Sequence, residues 1–384
     1  MKMQLLTPKD MLRHNAHLVL RLLRYNAELS RSEIARMTGS SRSTISHIMQ
    51  YLEEKKLVVP CGIGNKGVGR SSTLFRFNPE ARYGVGIDIT KDGISGIMAD
   101  LQGTIIAHKK YGIGEFSPES VARQIRHIYS SLCGQVSIPQ EFIVGIGVMV
   151  PGPVDSEGTV IRSVELSWQG PVNLEQLIEE SAVNQTQLPP LSIINNANAK
   201  ALAEACFNIN NDSANIVYIE NHKGLGAGFV DSHYTLLYGS SGIAMEVGKM
   251  FVHNNGVFTQ ADSFLVINDE SVVKQLKKGF QSENPLQDED VRLISDILAQ
   301  VISQIAALFN PRKVILDVPY IQNEQSLKFI KKALLKYVNS SSLIPSPLVE
   351  LPSVQRAHSA LGGIAQAILH SPFDFVLKST LSDL

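Results

Sequence analysis

Residues 30–52 read SRSEIARMTGSSRSTISHIMQYL, and this stretch determines the fold of the N-terminal part of the chain. Ser30 and Glu33 have the spacing of a capping box, which predicts the start of a short helix. Gly39 can adopt the positive φ of a tight turn and ends that helix. A longer helix is predicted from Ser41 to about Lys55, because apolar residues recur there at helical spacing. A short helix, a turn with glycine and a longer helix predict a helix-turn-helix.

The polar face of the longer helix has the composition of a surface that binds DNA. It carries small or basic hydrogen-bonding side chains, with no acid before Glu53. Such a face can enter a major groove without charge repulsion and can reach base edges and phosphates. A merely solvated helix face usually mixes acids with bases. The predicted DNA contacts on this helix are Ser41, Arg42, Ser43, Thr44, Ser46, His47 and Gln50.

A glycine-rich segment beyond this helix predicts a wing. Residues 57–59 and 72–77 are apolar enough for two strands, and residues 61–71 between them read CGIGNKGVGRS. That segment contains Lys66 and Arg70 but no acid. A hairpin of this kind can lie along a phosphate backbone or enter a minor groove. We therefore expect Lys66 and Arg70 to contact DNA as well.

The charge of the chain is divided between its two parts. The 384 residues have a formal net charge of −1. Residues 1–80 hold 13 Lys and Arg against 6 Asp and Glu, a charge of +7, whereas the remainder holds 22 against 30, a charge of −8. A basic N-terminal part joined to an acidic body indicates two binding partners, of which double-stranded DNA is the first.

Beyond residue 80, strands alternate with helices, which predicts an α/β body. The predicted domains are a winged helix-turn-helix at residues 1–80, a first α/β lobe at 81–190 and a second at 191–384. The last helix is expected to pack back on the first lobe.

Composition excludes several classes of protein. The apolar run from Phe142 to Val154 is broken by glycine and proline, so no segment predicts a membrane span. The N-terminus has no apolar stretch typical of a signal peptide. Cys61, Cys133 and Cys206 lie far apart and form no CxxC pair. A reducing cytoplasm is therefore the expected location, with all three as ordinary packed thiols.

Five motifs in order make the chain resemble the ROK family, which comprises repressors, open reading frames and sugar kinases. The resemblance extends from about Arg13 to Ile368 and implies a two-lobed sugar-kinase/actin-like ATPase (ribonuclease H-like) fold. An N-terminal winged helix resembles that of the family's repressors, and the free-standing kinases lack it. The motifs are GVGID (84–88), GIGVMVPGPVD (145–155), INNANAKALAEA (194–205), GIAMEVGK (242–249) and ALGGIAQAI (360–368).

The positions that the resemblance assigns to catalysis are altered. The catalytic Asp of the family kinases is replaced by Asn196, and an amide cannot act as a general base. Residues 90–92 read Thr-Lys-Asp where the kinases have glycines that approach ATP phosphates, and residues 317–319 read Asp-Val-Pro in place of another glycine cluster. We therefore expect no enzymatic activity, no catalytic residue and no cofactor.

The zinc site common in the family is also expected to be missing. Lys249 stands where the family has a zinc-binding His, and residues 254–270 contain no cysteine. His253 nearby has no partner ligand and is expected to be a surface or packed residue. The sequence thus predicts no metal.

A set of residues matching or flanking the family's sugar-binding positions predicts an effector site. Alternatives remain open for three of them and for the neighbouring Trp168. The ammonium of Lys249 favours an anionic sugar derivative, unless it pairs with Glu246 or Glu165 and closes the pocket. Trp168 either stacks on a sugar or packs, and Asn195 and Asn196 either bind a ligand or cap a helix. The predicted effector-binding residues are Glu165, Asn195, Asn196, Glu246 and Lys249.

The sequence therefore predicts a transcriptional regulator of carbohydrate metabolism genes, most simply a repressor. It would bind an operator as a homodimer, or as a tetramer, and respond to a carbohydrate or anionic sugar-derivative effector. Two alternatives are an active sugar kinase and a regulator controlled by a protein partner.

Overall fold

A computed structural model describes residues 7–64, 72–112, 114–181, 187–208, 215–221, 224–282, 288–338, 345–353 and 360–377. The N-terminal part, called the head below, has three helices packed on a small sheet. The sheet has the strand order β1-β3-β2 and runs antiparallel throughout. The head comprises α1 (Pro8–Asn26), β1 (Leu29–Ser30), α2 (Arg31–Thr38), α3 (Arg42–Glu54), β2 (Val58–Gly64) and β3 (Ser72–Phe77).

The capping residues predicted from sequence start the helices of the head. Ser30 and Glu33 form the capping box of α2. Gly39 has a φ of 65° and ends α2 in the left-handed conformation. Ser41 is the N-cap of α3, and its hydroxyl accepts a hydrogen bond from the backbone N–H of Thr44 at 3.1 Å. These contacts confirm the predicted helix-turn-helix.

The first lobe is built on a five-stranded sheet with the order β6-β5-β4-β7-β8. Strand β5 is antiparallel to both of its neighbours, β4 and β6, whereas β4, β7 and β8 run parallel to one another. Two helices, α4 and α5, pack on the core of this lobe. Its elements are β4 (Tyr83–Thr90), β5 (Gly93–Asp100), β6 (Ile105–Tyr111), α4 (Pro118–Cys133), β7 (Ile143–Val150), α5 (Leu174–Glu180) and β8 (Leu191–Asn195).

The second lobe has a four-stranded sheet with the order β10-β9-β13-β14. Strands β9, β13 and β14 are parallel, and β10 is antiparallel to β9. The elements are α6 (Asn196–Phe207), β9 (Ile216–Asn221), β10 (Leu225–Val230), α7 (Asp262–Leu265), α8 (Glu270–Gln281), α9 (Glu289–Phe309), β13 (Lys313–Asp317), α10 (Glu324–Val338) and β14 (Leu348–Glu350). A separate two-stranded hairpin consists of β11 (Phe251–Asn254) and β12 (Val257–Gln260).

The α/β architecture with a winged helix is therefore as predicted. The boundary placed between residues 190 and 191 stays a prediction. Strand β8 pairs in parallel with β7, so the first sheet extends to Asn195.

The helix α11 (Leu361–Leu369) lies between the two lobes. It packs on β4, β7 and β8 of the first sheet and on α6 of the second lobe. A Cβ atom at Gly147 would lie 1.9 Å from the carbonyl oxygen of Gly363, and one at Gly362 would lie 1.9 Å from that of Ala199. Only glycine fits at these positions, because the helix backbone touches both lobes directly.

A 3₁₀ turn at Asp374–Val376 follows α11 and packs against α1 of the head. Phe375 is fully buried, and its ring centroid lies 5.9 Å from that of Tyr51 on α3. Arg13 forms an ion pair with Asp374, and Nδ1 of His17 lies 2.9 Å from the carbonyl oxygen of Phe375. The cores of the head and the body are continuous through this turn.

Among the described helices, α9 alone has the length and composition to cross a membrane, with a mean hydropathy of 1.5 over its most apolar window. More than half of that window, 56%, is buried inside the second lobe. Its buried residues include Ile297, Leu298 and Ile302, which belong to the core of that lobe. In this structure α9 is a core helix.

Candidate functional site

The predicted DNA-contacting residues of α3 share one exposed surface. Ile45, Ile48, Met49 and Leu52 point into the core of the head. The residues between them face solvent because a helix with apolar side chains every three or four positions turns its other residues outward. The exposed residues on this face are Arg42, Ser43, Thr44, Ser46, His47 and Gln50, with the cap Ser41 beside them.

The two acids nearest this face lie at the C-terminal end of α3, and both accept hydrogen bonds from neighbouring side chains. Glu53 accepts a hydrogen bond from Arg31 at 2.6 Å, and Glu54 accepts one from the side chain of Gln50 at 3.0 Å. Arg31 also lies over the ring of Phe75, 5.0 Å from its centroid. The N-terminal turns of α3, which enter the groove in helix-turn-helix proteins, therefore present no acid.

Three further basic residues bear on this surface. Lys66 and Arg70, the predicted wing contacts, lie outside the described residues. Arg36 is exposed on α2, the helix that crosses the DNA backbone in this motif, and the sequence reasoning missed it. Its sequence signal was the basic charge at a position of α2 that faces away from Ile34 and Ala35.

At the start of α6, one of the two asparagines caps the helix. The side-chain oxygen of Asn195 accepts a hydrogen bond from the backbone N–H of Asn198 at 2.8 Å. The side-chain oxygen of Asn196 is buried and has no hydrogen-bond partner among the described residues. A buried acceptor of this kind is costly unless a ligand or water donates to it.

Glu246 directly precedes a short 3₁₀ helix of the second lobe, Val247–Lys249, and Lys249 is its last residue. Partial desolvation raises the pKa of Glu246, and Asp262 adds to this effect while Lys249 and Arg162 oppose it. Arg162 belongs to the loop after β7 of the first lobe, so charged groups from both lobes act on the same carboxylate. We had not identified Arg162 from sequence.

The ammonium of Lys249 has a partner that differs from both sequence alternatives. Its Nζ lies 2.6 Å from Oδ2 of Asp262, and the hydrogen bond to this carboxylate raises the pKa of Lys249. Neither Glu246 nor Glu165 pairs with it directly. The pairing partner of Lys249 in the structure is therefore Asp262, and the role of Lys249 toward an effector stays a prediction.

The remaining predicted residues lie on the first lobe. Oε1 of Glu165 accepts a hydrogen bond from the backbone N–H of Lys91 at 3.0 Å. Trp168 is buried, and its indole N–H donates to the carbonyl oxygen of Phe116 at 2.6 Å. The alternative in which Trp168 packs is therefore confirmed. Among the described contacts, none links Glu165 or the two asparagines directly to Glu246.

His253 lies on the β11–β12 hairpin, near the position of Lys249 in the sequence. His253 is exposed on β11, and its ring centroid lies 5.0 Å from that of Phe258. No cluster of three or more His, Cys, Asp or Glu side chains suited to a metal was found in the described part of the chain.

A buried charge cluster occupies the carboxyl edge of the second sheet. Nζ of Lys200 lies 2.6 Å from Glu220 and 3.3 Å from Asp317, at the ends of two neighbouring parallel strands. The hydroxyl of Tyr218 donates to Asp317 at 2.9 Å. Burial alone would lower the pKa of Lys200, but the two carboxylates outweigh it and raise that pKa. The carboxyl edge is where open α/β sheets usually bind ligands.

These features define a class: a winged helix-turn-helix protein whose body has the architecture of a sugar kinase. Comparison with family models matches residues 84–261 to the ROK family and residues 10–65 to the MarR family. The body therefore carries a ROK family domain, and the head is of the MarR type.

The curated relatives extend over nearly all of the chain. The xylose repressor of Bacillus subtilis (strain 168) is 27% identical over 359 residues, covering 87% of this chain and 91% of that protein. The DNA-binding transcriptional dual regulator NagC of Escherichia coli (strain K12) is 20% identical over 328 residues, covering 79% of each.

Solved structures confirm the fold. A ROK family transcriptional regulator, a homologue of the E. coli MLC protein, has a TM-score of 0.66 at 18% identity, covering 97% of this chain and 99% of its own. The ROK hexokinase from Thermus thermophilus has a TM-score of 0.60 at 18% identity and covers 98% of itself but 75% of this chain. The hexokinase structure thus corresponds approximately to the body of this chain, without the head.

Proposed function

We propose that this protein is a DNA-binding transcriptional repressor of carbohydrate metabolism genes in the cytoplasm. The exposed, acid-free face at the start of α3 supports this proposal more than any other feature. In it, Arg42 and the polar residues around it read the major groove. Arg36 and the wing bases Lys66 and Arg70 neutralise phosphates, and two copies bind a two-fold operator.

The proposal is tested with DNA selected from a random duplex library by the full-length protein. Arg42→Ala should weaken binding to the selected duplex by about 1–3 kcal/mol and reduce sequence preference. Lys278→Ala, which removes the same charge from an exposed position on α8, should leave affinity unchanged. Affinity is measured by fluorescence anisotropy across a salt series. Equal behaviour of both variants, or the absence of any enriched sequence, would exclude this DNA-binding face.

The body serves, in the same proposal, as a sensor of a sugar or an anionic sugar derivative. The unsatisfied oxygen of Asn196 and the partly desolvated carboxylate of Glu246 support this role, because sugar hydroxyls donate to such acceptors. The amide nitrogen of Asn195 and the Glu165 carboxylate complete the polar set. The charge of Lys249 is neutralised by its ion pair with Asp262. In this proposal the exposed guanidinium of Arg162 therefore binds the anionic group of the effector.

Catalysis is not part of the proposal. Asn196 offers no base, and the cluster of Lys200, Glu220 and Asp317 occupies the edge at which the kinases bind nucleotide phosphates by resemblance. A coupled assay with ATP and sugars should show no sugar-dependent turnover.

A further inference from the structure

The carboxylate of Asp262, the first residue of α7, is held in place from two sides. Its Oδ1 accepts a hydrogen bond from the backbone N–H of Leu225, at the start of β10, at 3.2 Å. A Cβ atom at Gly248 would lie 1.9 Å from the same oxygen, so any larger residue there would push the carboxylate away. The other oxygen, Oδ2, lies 2.6 Å from Nζ of Lys249. The position of Asp262 therefore does not depend on Lys249.

The 3₁₀ turn places the side chains of Glu246 and Lys249 on the same side. The backbone N–H of Lys249 donates to the carbonyl oxygen of Glu246 at 3.0 Å. In a 3₁₀ turn, side chains three residues apart eclipse one another. The Lys249 ammonium thus has two carboxylates near it, those of Glu246 and Asp262, and among the described contacts it bonds to Asp262.

The Glu246 carboxylate stays open as a result. Partial burial raises its pKa, and the groups that act on it are Asp262, Lys249 and Arg162, each through its charge and none through a hydrogen bond. An ionised carboxylate accepts hydrogen bonds only, so it suits the hydroxyl donors of a sugar. A direct ion pair between Glu246 and Lys249 would occupy this acceptor.

The ion pair between Lys249 and Asp262 does little for the stability of the lobe. The Lys249 side chain is 59% exposed, and ion pairs exposed to this degree contribute little to the free energy of unfolding. What the pair does decide is which of the two carboxylates the ammonium neutralises.

We propose that Asp262 is a positioning residue of the effector site: it holds the ammonium of Lys249 away from Glu246 and so keeps the Glu246 carboxylate open to the effector. This assignment rests on the proposed sensor role of the body. It adds a residue that acts through Lys249 and Glu246.

The pKa of Glu246 in the full-length protein tests this role without any effector. ¹³C NMR of protein labelled with [δ-¹³C]glutamate measures it, and Glu246→Gln identifies the resonance. In Asp262→Asn the ammonium should pair with Glu246, and the pKa of Glu246 should fall by about one pH unit or more. Glu289→Gln breaks another exposed ion pair, at the start of α9, and should leave this pKa unchanged.

A double-mutant cycle separates the diversion of Lys249 from a loosened turn. Lys249→Met should raise the pKa of Glu246 slightly in the wild-type background, where Asp262 holds the ammonium. In the Asp262→Asn background the same change should raise it by about one pH unit or more. If Asp262 only supported the fold, Glu246 would be solvated in both variants that lack Asp262, and its pKa would be ordinary and equal in the two. Equal effects of Lys249→Met in the two backgrounds would overturn the proposal.

A failure of the sensor role gives a different result. If no neutral sugar, sugar acid or sugar phosphate binds wild type, the sensor role falls, and the function assigned to Asp262 falls with it. An unchanged pKa of Glu246 in Asp262→Asn, with an effector that binds wild type, would remove Asp262 alone and leave the sensor role standing.

Discussion

His17 links the head to the body through a single imidazole. It lies on α1, is 8% exposed, and has its Nδ1 2.9 Å from the carbonyl oxygen of Phe375. Burial lowers the pKa of His17 to about 4, and the positive charges of Arg21 and Arg24 and the neighbouring His14 add to the effect. The hydrogen bond to Phe375 opposes the shift only in part. Burial therefore keeps His17 neutral in the folded protein above about pH 4.

The stability of the protein should fall as the pH decreases from 6.5 towards 4. In that window the unfolded chain binds a proton at His17 that the folded chain does not, so the free energy of unfolding decreases by about 3 kcal/mol. Urea unfolding at a series of pH values measures this. His17→Leu, which cannot titrate, should flatten the dependence. An identical slope in the variant would show that His17 is not the group responsible.

Single residues also show where sequence reasoning stops. The replacement of a catalytic Asp by Asn196 could be seen in the sequence, and so could the absence of a zinc ligand at Lys249. The partner of Lys249 could not, because Asp262 belongs to α7, a helix of four residues with no periodic pattern. The type of each residue can be read from the sequence, whereas an ion pair depends on which loops lie next to each other in the folded protein.

At the scale of elements, the 3₁₀ turn at Asp374–Val376 is the contact that ties the head to the body. Phe375 is buried between α1 and α3, and Arg13 lies over its ring at 5.5 Å. Because the cores on both sides are continuous here, head and body should unfold together.

Phe375→Ala should split this joint unfolding into one transition of the head and one of the body. Removal of a buried phenylalanine lowers the free energy of unfolding by about 3–5 kcal/mol. Here the stability is lost from the contact between the head and the body. Differential scanning calorimetry of the full chain should then show the head melting before the body. Phe309→Ala, which removes a ring packed on Phe229 in the second lobe, should lower the body transition instead. A single unchanged unfolding transition in Phe375→Ala would show that this turn does not couple the head to the body.

Long elements with clear periodicity were predictable, and glycine-rich or short ones were not. The continuous apolar run at residues 143–150 predicts a buried strand, which is β7. The sequence also predicts a helix at 290–309, which is α9. By contrast, the family resemblance predicts a second phosphate turn over residues 221–228, of which 222 and 223 lie outside the described residues. The structure has the strand β10 at Leu225–Val230, paired with β9. Strand pairing overrides the low strand preference of glycine there. The Asn255-Gly256 turn was a usable hairpin signal for β11 and β12.

At the scale of the whole molecule, the charged residues that face each other across the lobes suggest how a ligand acts. Arg162 lies on the first lobe, and Glu246 and Lys249 lie on the second. A ligand that contacts both sides stabilises the arrangement in which they are close. DNA affinity changes only if this arrangement also changes the spacing of the two heads.

Isothermal titration calorimetry against neutral sugars, sugar acids and sugar phosphates should identify one binding class. Glu246→Gln should weaken that binding at least about 10-fold, since a hydrogen bond to a charged group is lost. Glu270→Gln, an exposed acid on α8, is the control and should bind normally. No heat from any compound would remove the effector and favour control by a protein partner.

The backbone contact of α11 gives the molecule a mechanical property. Since no side chain separates Gly363 from Gly147, this point can act as a pivot but cannot be compressed. The end of α11 at Leu369 lies about 9 Å beyond it, so a rotation of about 10° would displace that end by about 1.6 Å. Helix shifts of this size transmit signals in other proteins. The 3₁₀ turn that holds the head lies only five residues further on, so α11 would act as a short lever with the head at its free end.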